Sequence, residues 1–264
     1  MSTRCTSEDT DGTALYTGLR SERPLPLECK HALHTILFDV HEYFVSLVCS
    51  ILSSGWSPEK KVEVLVDPMC GSGTLPIEAA LLMANTAPGL LRYSRDKKPC
   101  AAQWLDIDQQ SWIHSYDTAK AADRREYLVK QMQKKHLIFA SDVHSKALEL
   151  AKISAQEAGV AGLISFSQQC VSKLPHPDLM RPFPSIPVKV VTNPPWDRRL
   201  DTDAEASWRQ LNAFLRKLNG TAHVLCGEPS LFRLLDAYEG IGRISVKIAT
   251  IDAEIRSFVT PKIE

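Results

Sequence analysis

Hydrophobic residues recur along this chain at two spacings, and the two spacings alternate. From Ala32 to Ile51 apolar residues return every three or four positions, which predicts a long amphipathic helix that stops at Gly55. Short β-branched runs then predict strands at residues 62–66, 137–141, 163–167, 188–192 and 222–226. Strands separated by helices indicate a parallel sheet. Two adjacent runs, 244–250 and 254–259, predict a closing antiparallel hairpin and a seven-stranded α/β fold.

The same pattern suggests how the chain is organised. Residues 1–25 lack hydrophobic periodicity and predict a flexible N-terminal arm. At 264 residues the chain suits one large domain, which we expect over residues 26–264. We divide that domain into a helical extension, 26–60, and a Rossmann-like core, 61–264. Residues 90–135 form a long, basic elaboration between the first two strands.

Composition narrows the class of protein. The 31 basic residues balance the 31 acidic ones, so any nucleic acid would have to bind local patches rather than a general positive field. The 7 cysteines form no C-x-x-C pair, which favours reduced thiols and predicts no metal site. No apolar run approaches the roughly 20 residues that span a bilayer. With no evident leader sequence, we expect a cytoplasmic protein.

A glycine-containing turn follows the first predicted strand. The sequence Asp67-Pro-Met-Cys-Gly-Ser-Gly-Thr74 leads from that strand into a helix, where glycines let a ligand approach the backbone. It lacks both the third glycine of dinucleotide sites and the Gly-Lys-Ser/Thr of triphosphate sites. Asp67 can receive the ammonium of a methionine-like group, directly or through water. The alternative is a purely structural turn. The candidate cofactor-binding residues here are Asp67, Pro68, Cys70, Gly71, Gly73 and Thr74.

The second strand also ends in an acid, Asp142. One carboxylate at such a strand end can accept hydrogen bonds from both hydroxyls of a ribose. Ser145 is then placed to cap the following helix. The alternative is that Asp142 itself only caps that helix.

The fourth strand leads into Asn193-Pro194-Pro195-Trp196, at the edge where open α/β sheets bind ligands. Consecutive prolines fix the backbone and remove two donors, which leaves the Asn193 side-chain oxygen and the Pro194 carbonyl as acceptors. Such a pair suits a planar NH2 group, and Trp196 can stack on its ring. The alternative is a rigid turn with Trp196 as a core anchor. Together with the glycine turn, this corner predicts an S-adenosylmethionine-dependent methyltransferase with Asn193, Pro194, Pro195 and Trp196 as catalytic residues and Asn193 also near the cofactor.

These segments resemble the guanine-N2 RNA methyltransferases that usually carry a THUMP RNA-binding domain. The resemblance covers about residues 16–260 and rests on Gly18-Leu-Arg20, Pro26-Leu27, Gly55-Trp56, the turn at 67–75, Ile77-Glu-Ala-Ala80, Ala87-Pro-Gly-Leu90, Ser141-Asp142, Thr192–Trp196 and Arg199-Leu200. It implies a Rossmann-like class I methyltransferase fold, the cofactor S-adenosylmethionine, and guanine N2 of tRNA or rRNA as the methyl acceptor, with the base extruded into the pocket.

Three departures from that family bear on the site. The family usually has an acid near position 170 for the adenine amino group, where this chain has Cys170, a candidate cofactor-binding residue but a weak acceptor that is ordinarily a small buried hydrophobe. Asp197 replaces the family's glycine, and Trp196 stands where Tyr or Phe is commoner. Only about 25 polar residues precede the catalytic fold, so we expect no THUMP domain.

Substrate delivery would then need another component. The resemblance implies an RNA-presenting partner, for which some relatives use a small zinc-binding activator protein. The basic clusters at 92–98 and 124–135 could contact phosphates, although such clusters are more often solvated faces. Two other functions remain open: a degenerate methyltransferase fold that acts in ribonucleoprotein assembly, and a methyltransferase for adenine N6 or a protein glutamine.

Overall fold

The computed structural model describes residues 50–57, 62–94, 96–98, 109–132, 136–175, 186–196, 203–248 and 251–260 of the chain. The predicted arm and the start of the first amphipathic helix lie outside these residues. The end of that helix is described: residues 50–53 are helical, and the Gly55 N–H donates to the Leu52 carbonyl at 3.1 Å. Gly55 has φ +65°, a left-handed conformation that ends helices, as the sequence predicted.

The described strands form one seven-stranded sheet. Their bounds are β1 Val64–Asp67, β2 Ile138–Asp142, β3 Ile164–Gln168, β4 Val188–Thr192, β5 Gly220–Cys226, β6 Glu239–Ile248 and β7 Ile251–Thr260. The spatial order is β3-β2-β1-β4-β5-β7-β6. Strand β7 runs in the direction opposite to the other six strands, so it is antiparallel to both β5 and β6. This arrangement confirms the predicted mostly parallel α/β fold with a C-terminal antiparallel pair.

Helices connect the parallel strands. The described α-helices are α1 Thr74–Met83, α2 Gln109–Ala122, α3 Arg125–Gln131, α4 Ser145–Glu157 and α5 Ala204–Leu215. Short 3-10 turns add Pro88–Leu91, Ala161–Leu163, Val171–Lys173 and Pro229–Leu235. Among the described residues no helix combines the length and the apolar character needed to cross a membrane.

Each face of the sheet carries its own hydrophobic core. On one face α1 and α4 pack over Leu65, Ile138 and Val191. On the other, α5 packs over Val66, Val188 and Val190, and its fully buried Trp208 lies at the centre of that cluster. Because β1 and β4 are covered on both faces, their carboxyl ends are held rigidly side by side.

Three local predictions differ from the structure, and the first is that β7 begins at Ile251 rather than 254. Strand β6 begins at Glu239 rather than 244, because residues 239–243 pair with β7 through their backbone while their side chains stay exposed. Ser145 does not cap α4: it is the first helical residue, and no side-chain hydrogen bond caps this helix at His144. The His144 N–H is instead bound by the Asp142 carboxylate at 2.8 Å.

Candidate functional site

The glycine turn after β1 is closed by its own backbone. The Gly73 N–H donates to the Cys70 carbonyl at 2.8 Å, and Gly71 and Gly73 have φ values of +53° and +82°. Both conformations are ones that side chains rarely adopt. The turn therefore depends on both glycines, as its sequence predicted.

The two glycines face different surroundings. A Cβ on Gly73 would lie 2.7 Å from the Ala151 Cβ, so this glycine lets α1 approach α4 closely. A Cβ on Gly71 would meet no heavy atom within 4 Å. The space above Gly71 is thus open and would be narrowed by any side chain, which fits a cofactor seated against the backbone.

Asp67 lies at the end of β1 and is 1% exposed. Its Oδ1 accepts from the Thr192 hydroxyl at 2.8 Å and from the Met69 N–H at 3.3 Å. Among the described residues no donor contacts Oδ2, which leaves that oxygen for a cationic ligand or a bridging water. Burial raises the pKa of Asp67 to about 7, more than the Thr192 bond lowers it.

Asp142 connects the turn to the next helix. Its Oδ2 accepts from the Gly71 N–H and its Oδ1 from the His144 N–H, both at 2.8 Å. Each oxygen retains a second acceptor position. The contact with the start of α4 agrees with the alternative role of Asp142, whereas its bond to Gly71 was not predicted, and its ribose-binding role stays a prediction.

The remaining residues predicted around the turn shape it from within. Cys70 is buried, and its N–H donates to the Ser141 carbonyl at 2.9 Å. Burial holds the pKa of the Cys70 thiol far above its ordinary value. The Pro68 carbonyl accepts from the Ser141 hydroxyl at 3.2 Å, and Thr74 begins α1 with its hydroxyl 3.4 Å from that of Ser72. These contacts tie the ends of β1 and β2 together.

The double-proline corner after β4 is held by indole groups. The fully buried Trp208 of α5 donates its Nε1–H to the Pro195 carbonyl at 3.0 Å. Pro194 is buried, and no described residue donates to its carbonyl oxygen. That carbonyl is the kind of acceptor the sequence predicted.

The Trp196 side chain makes more contacts than the sequence predicted. Its Nε1–H donates to the Asn193 Oδ1 at 2.8 Å. Its ring lies against Gly227, where an added Cβ would come within 2.5 Å of a ring carbon. The ring also packs at the edge of the core around Trp208. Trp196 thus has the anchoring role that the sequence left as an alternative, and it donates to the same Asn193 oxygen that the sequence predicted to bind an amine.

The two corners lie together. Strands β1 and β4 are parallel neighbours, and the Thr192–Asp67 hydrogen bond joins the residue before Asn193 to the residue that opens the glycine turn. Both corners therefore meet at the carboxyl edge of the sheet, where ligands bind in open α/β folds. Asp197 and Arg199 lie outside the described residues.

Cys170 is only partly buried, contrary to the expectation of a buried hydrophobe. Its thiol donates to the Gln210 Oε1 at 2.9 Å and lies 3.2 Å from the Ser172 hydroxyl. Sequence reasoning missed Gln210, Trp208 and Gly227. All three act across strands or helices, and no local motif marks them. Thr192 lies within the motif at 192–196, but its bond to Asp67 was not predicted.

A cavity of about 220 Å³ lies beside β1, β2 and β3. Its described walls come from β1, β2, β3 and the segment after β3: Val66, Phe139, Ala140, Ser141, Ser165, Ser167, Gln169, Leu174 and Pro175. Within the described part of the chain, no cluster of His, Cys, Asp and Glu is arranged to hold a metal ion.

A family model described as RMKL-like, methyltransferase domain, matches residues 47–229, which include every residue discussed at this site. The matched segment runs from residue 47, before β1, to residue 229, after β5.

Solved structures share the fold. SMU.472, provisionally classed as a methyltransferase and crystallised with SAH, is 19% identical, covers 84% of this chain and 53% of its own, and has a TM-score of 0.66. A predicted N6-adenine-specific DNA methylase from Listeria monocytogenes str. 4b F2365 is 22% identical and covers 88% of this chain and 55% of its own, with a TM-score of 0.64. TrmN from Thermus thermophilus is 18% identical, covers 83% and 49%, and has a TM-score of 0.50. The chain thus spans about half the length of these proteins.

Proposed function

The chain belongs to the RMKL-like methyltransferase domain family, and from that premise we propose that it methylates guanine N2 in tRNA or rRNA. Its cofactor is S-adenosylmethionine, which suits the open backbone at Gly71 and the acid at the end of β1. The guanine-N2 acceptor is the finer step, and it is supported by the resemblance of residues 67–90 and 192–196 to that group of enzymes.

The single observation that carries the proposal is the Thr192–Asp67 hydrogen bond of 2.8 Å. It places the start of the cofactor turn next to the corner that presents Asn193 and Pro194. A methyl donor bound at the turn and a planar amine held at the corner would therefore share one crevice. Positioning of this kind is a large part of catalysis for a transfer between two bound groups.

The corner residues act by accepting hydrogen bonds. When bound, S-adenosylmethionine supplies an electrophilic methyl group on its sulfonium sulfur. The Pro194 carbonyl and the Asn193 Oδ1 accept the two hydrogens of the exocyclic amine, which lets its nitrogen lone pair turn toward the methyl carbon. An amide oxygen can accept two hydrogen bonds at once, so accepting from the Trp196 indole is compatible with accepting from a substrate amine. The proton is lost late, to water or a nearby acceptor.

The test is methyl transfer to RNA from cells that lack the protein, followed by mass spectrometry of the nucleosides. Asn193→Ala should lower transfer about 100-fold or more, since one preorganised acceptor is removed. Asn219→Ala is the matched control, because Asn219 is exposed at the opposite edge of the sheet, before β5. Undiminished activity in Asn193→Ala would refute the role of this residue.

The same experiment separates the other functions. A product of N6-methyladenosine would move the acceptor to adenine, because the two corner acceptors suit any planar NH2 group. Calorimetry without RNA tests the degenerate fold: absence of S-adenosylmethionine binding at millimolar concentration would favour a ribonucleoprotein assembly role.

We further propose that RNA reaches the site with help from a partner, as the resemblance implies. The described basic residues support only part of such a role. Arg124 lies over the exposed Tyr127 ring at 5.6 Å, which suits a phosphate or base contact, whereas Arg125 is paired with Asp123 at 2.6 Å. Arg124→Ala should raise the KM for RNA without changing cofactor affinity. A small zinc-binding activator that restores RNA affinity when added to the purified chain would identify the partner class.

A further inference from the structure

The strand ends predict the order in which the parts of the cofactor would lie along the sheet edge. Asp67 at the end of β1 suits the ammonium and Asp142 at the end of β2 suits the ribose. Strand β3 lies on the other side of β2, in register with it up to Asp142 and Gln168. The base of a bound nucleoside therefore extends toward the end of β3, where Cys170 lies.

The segment around Cys170 leaves room for a base. Gln169 and Leu174-Pro175, on either side of Cys170, form part of the wall of the 220 Å³ cavity. The Gln169 N–H donates to the Asp142 carbonyl at 3.1 Å, which keeps this segment beside the proposed ribose site. A thiol is a weak hydrogen-bond acceptor, so Cys170 alone would recognise an amino group poorly.

Gln210 brings a stronger group to the same place. Its side chain reaches from α5 so that Oε1 receives the Cys170 thiol at 2.9 Å. The helix is fixed by the fully buried Trp208 and Leu211 on either side of Gln210. A carboxamide offers one acceptor and two donors, and adenine presents an amino donor beside a ring-nitrogen acceptor.

We propose that Gln210 recognises the adenine of the cofactor: its Oε1 accepts the 6-amino group, and the Cys170 thiol fixes which way the amide points. Cys170 is thus a positioning residue and Gln210 the binding residue. The recognition is carried by an uncharged amide on α5 rather than by a group on the loop after β3.

The experiment measures binding, so it does not depend on which RNA is methylated. Calorimetry compares S-adenosylhomocysteine with its analogue that has hydrogen in place of the 6-amino group, and the readout is the ratio of their dissociation constants. In the unaltered chain the ratio should be about fivefold to tenfold, as expected for one hydrogen bond. Gln210→Leu, similar in volume, should reduce the ratio to about one.

Three further variants separate recognition of the base from a general effect on folding. Gln210→Glu keeps an acceptor and should keep the ratio. Gln156→Ala removes an exposed glutamine from α4 and should change neither constant. Cys170→Ala frees the Gln210 amide to rotate. It should therefore improve binding of a second analogue of S-adenosylhomocysteine, in which inosine replaces adenosine and presents an acceptor at this position.

The possible results separate clearly. A ratio near one in the unaltered chain, or a ratio unchanged in Gln210→Leu, overturns the proposal. Failure of the unaltered chain to bind S-adenosylhomocysteine also overturns it. A ratio of dissociation constants that falls to about one in Gln210→Leu supports the proposal, even if the methyl acceptor proves not to be guanine.

Discussion

The glycine turn after β1 and the double-proline corner after β4 end neighbouring strands, yet they are held in place by different means. In the turn, backbone groups bind one another and two carboxylates, Asp67 and Asp142. In the corner, the prolines donate nothing, and two indole groups supply the donors, to the Pro195 carbonyl and to the Asn193 Oδ1.

This difference follows from what each corner has to present. A cofactor seated on a turn needs bare backbone above it, which Gly71 provides. An amine acceptor site needs carbonyl oxygens that point outward, so the corner must be supported from behind. Trp208 on α5 and the bare backbone at Gly227, which directly follows β5, provide that support.

Among the residues that support the two corners, Gly227 should have the largest effect. In Gly227→Ala the new Cβ would lie 2.5 Å from the Trp196 ring, so the ring and the Asn193 amide must move. A displacement of this size should lower methyl transfer about 100-fold, with S-adenosylhomocysteine affinity little changed. The matched control is Gly240→Ala, where a Cβ meets nothing within 4 Å. Equal activity in the two variants would show that Trp196 does not position the corner.

Substitution of the two glycines of the turn should affect different properties, stability at Gly73 and cofactor affinity at Gly71. Gly73→Ala combines backbone strain with a contact of 2.7 Å to Ala151 and should cost about 3 kcal/mol of unfolding free energy. Gly71→Ala should cost only about 1 kcal/mol but should weaken cofactor binding about tenfold or more, because its methyl group fills the open space. Chemical denaturation and calorimetry measure the two quantities. If Gly71→Ala and Gly73→Ala weakened cofactor binding equally, under conditions where both variants are folded, a cofactor site above Gly71 would be contradicted.

Cofactor affinity should also depend on pH through Asp67. Its pKa is raised to about 7, so the carboxyl is largely protonated at pH 6 and ionised at pH 8. The ammonium of the cofactor binds the ionised form, and affinity should rise about tenfold over this interval. Asp67→Asn should remove the dependence.

Glu78 provides the comparison for that titration. It is buried in α1 with a pKa also raised to about 7 by burial. Glu78→Gln should leave the pH dependence of binding intact. In the free protein both carboxyls stabilise the fold at low pH and lose that contribution as the pH rises through about 7, because folding raises their pKa values.

The smallest effect should follow Trp208→Phe, which keeps most of the packing and removes the donor to the Pro195 carbonyl. We expect about 1–2 kcal/mol of lost stability and roughly a threefold fall in methyl transfer. Thermal unfolding and initial rates measure both. A loss of cofactor affinity instead would mean that the corner and the turn are not separately supported.

Several elements of the fold could be read from the sequence because their causes are local. The β-branched runs predicted the positions of all seven strands, and Gly55 and the glycines of the turn marked breaks that the structure confirms. The start of β6 was missed because Glu239–Arg243 pair through their backbone and bury little apolar surface. Ser145 was mistaken for a cap because the carboxylate that binds this helix end comes from Asp142.

What the sequence determined by itself is the class of the protein: a parallel sheet, an acid and glycines after its first strand, and an Asn-Pro-Pro-aromatic corner after its fourth. Each depends on neighbouring residues, so spacing and residue type suffice. Only the tertiary structure decided how Trp196, Trp208, Gly227 and Gln210 support or complete the site. Their contacts cross from one element to another, and such distances arise only when the helices and strands pack.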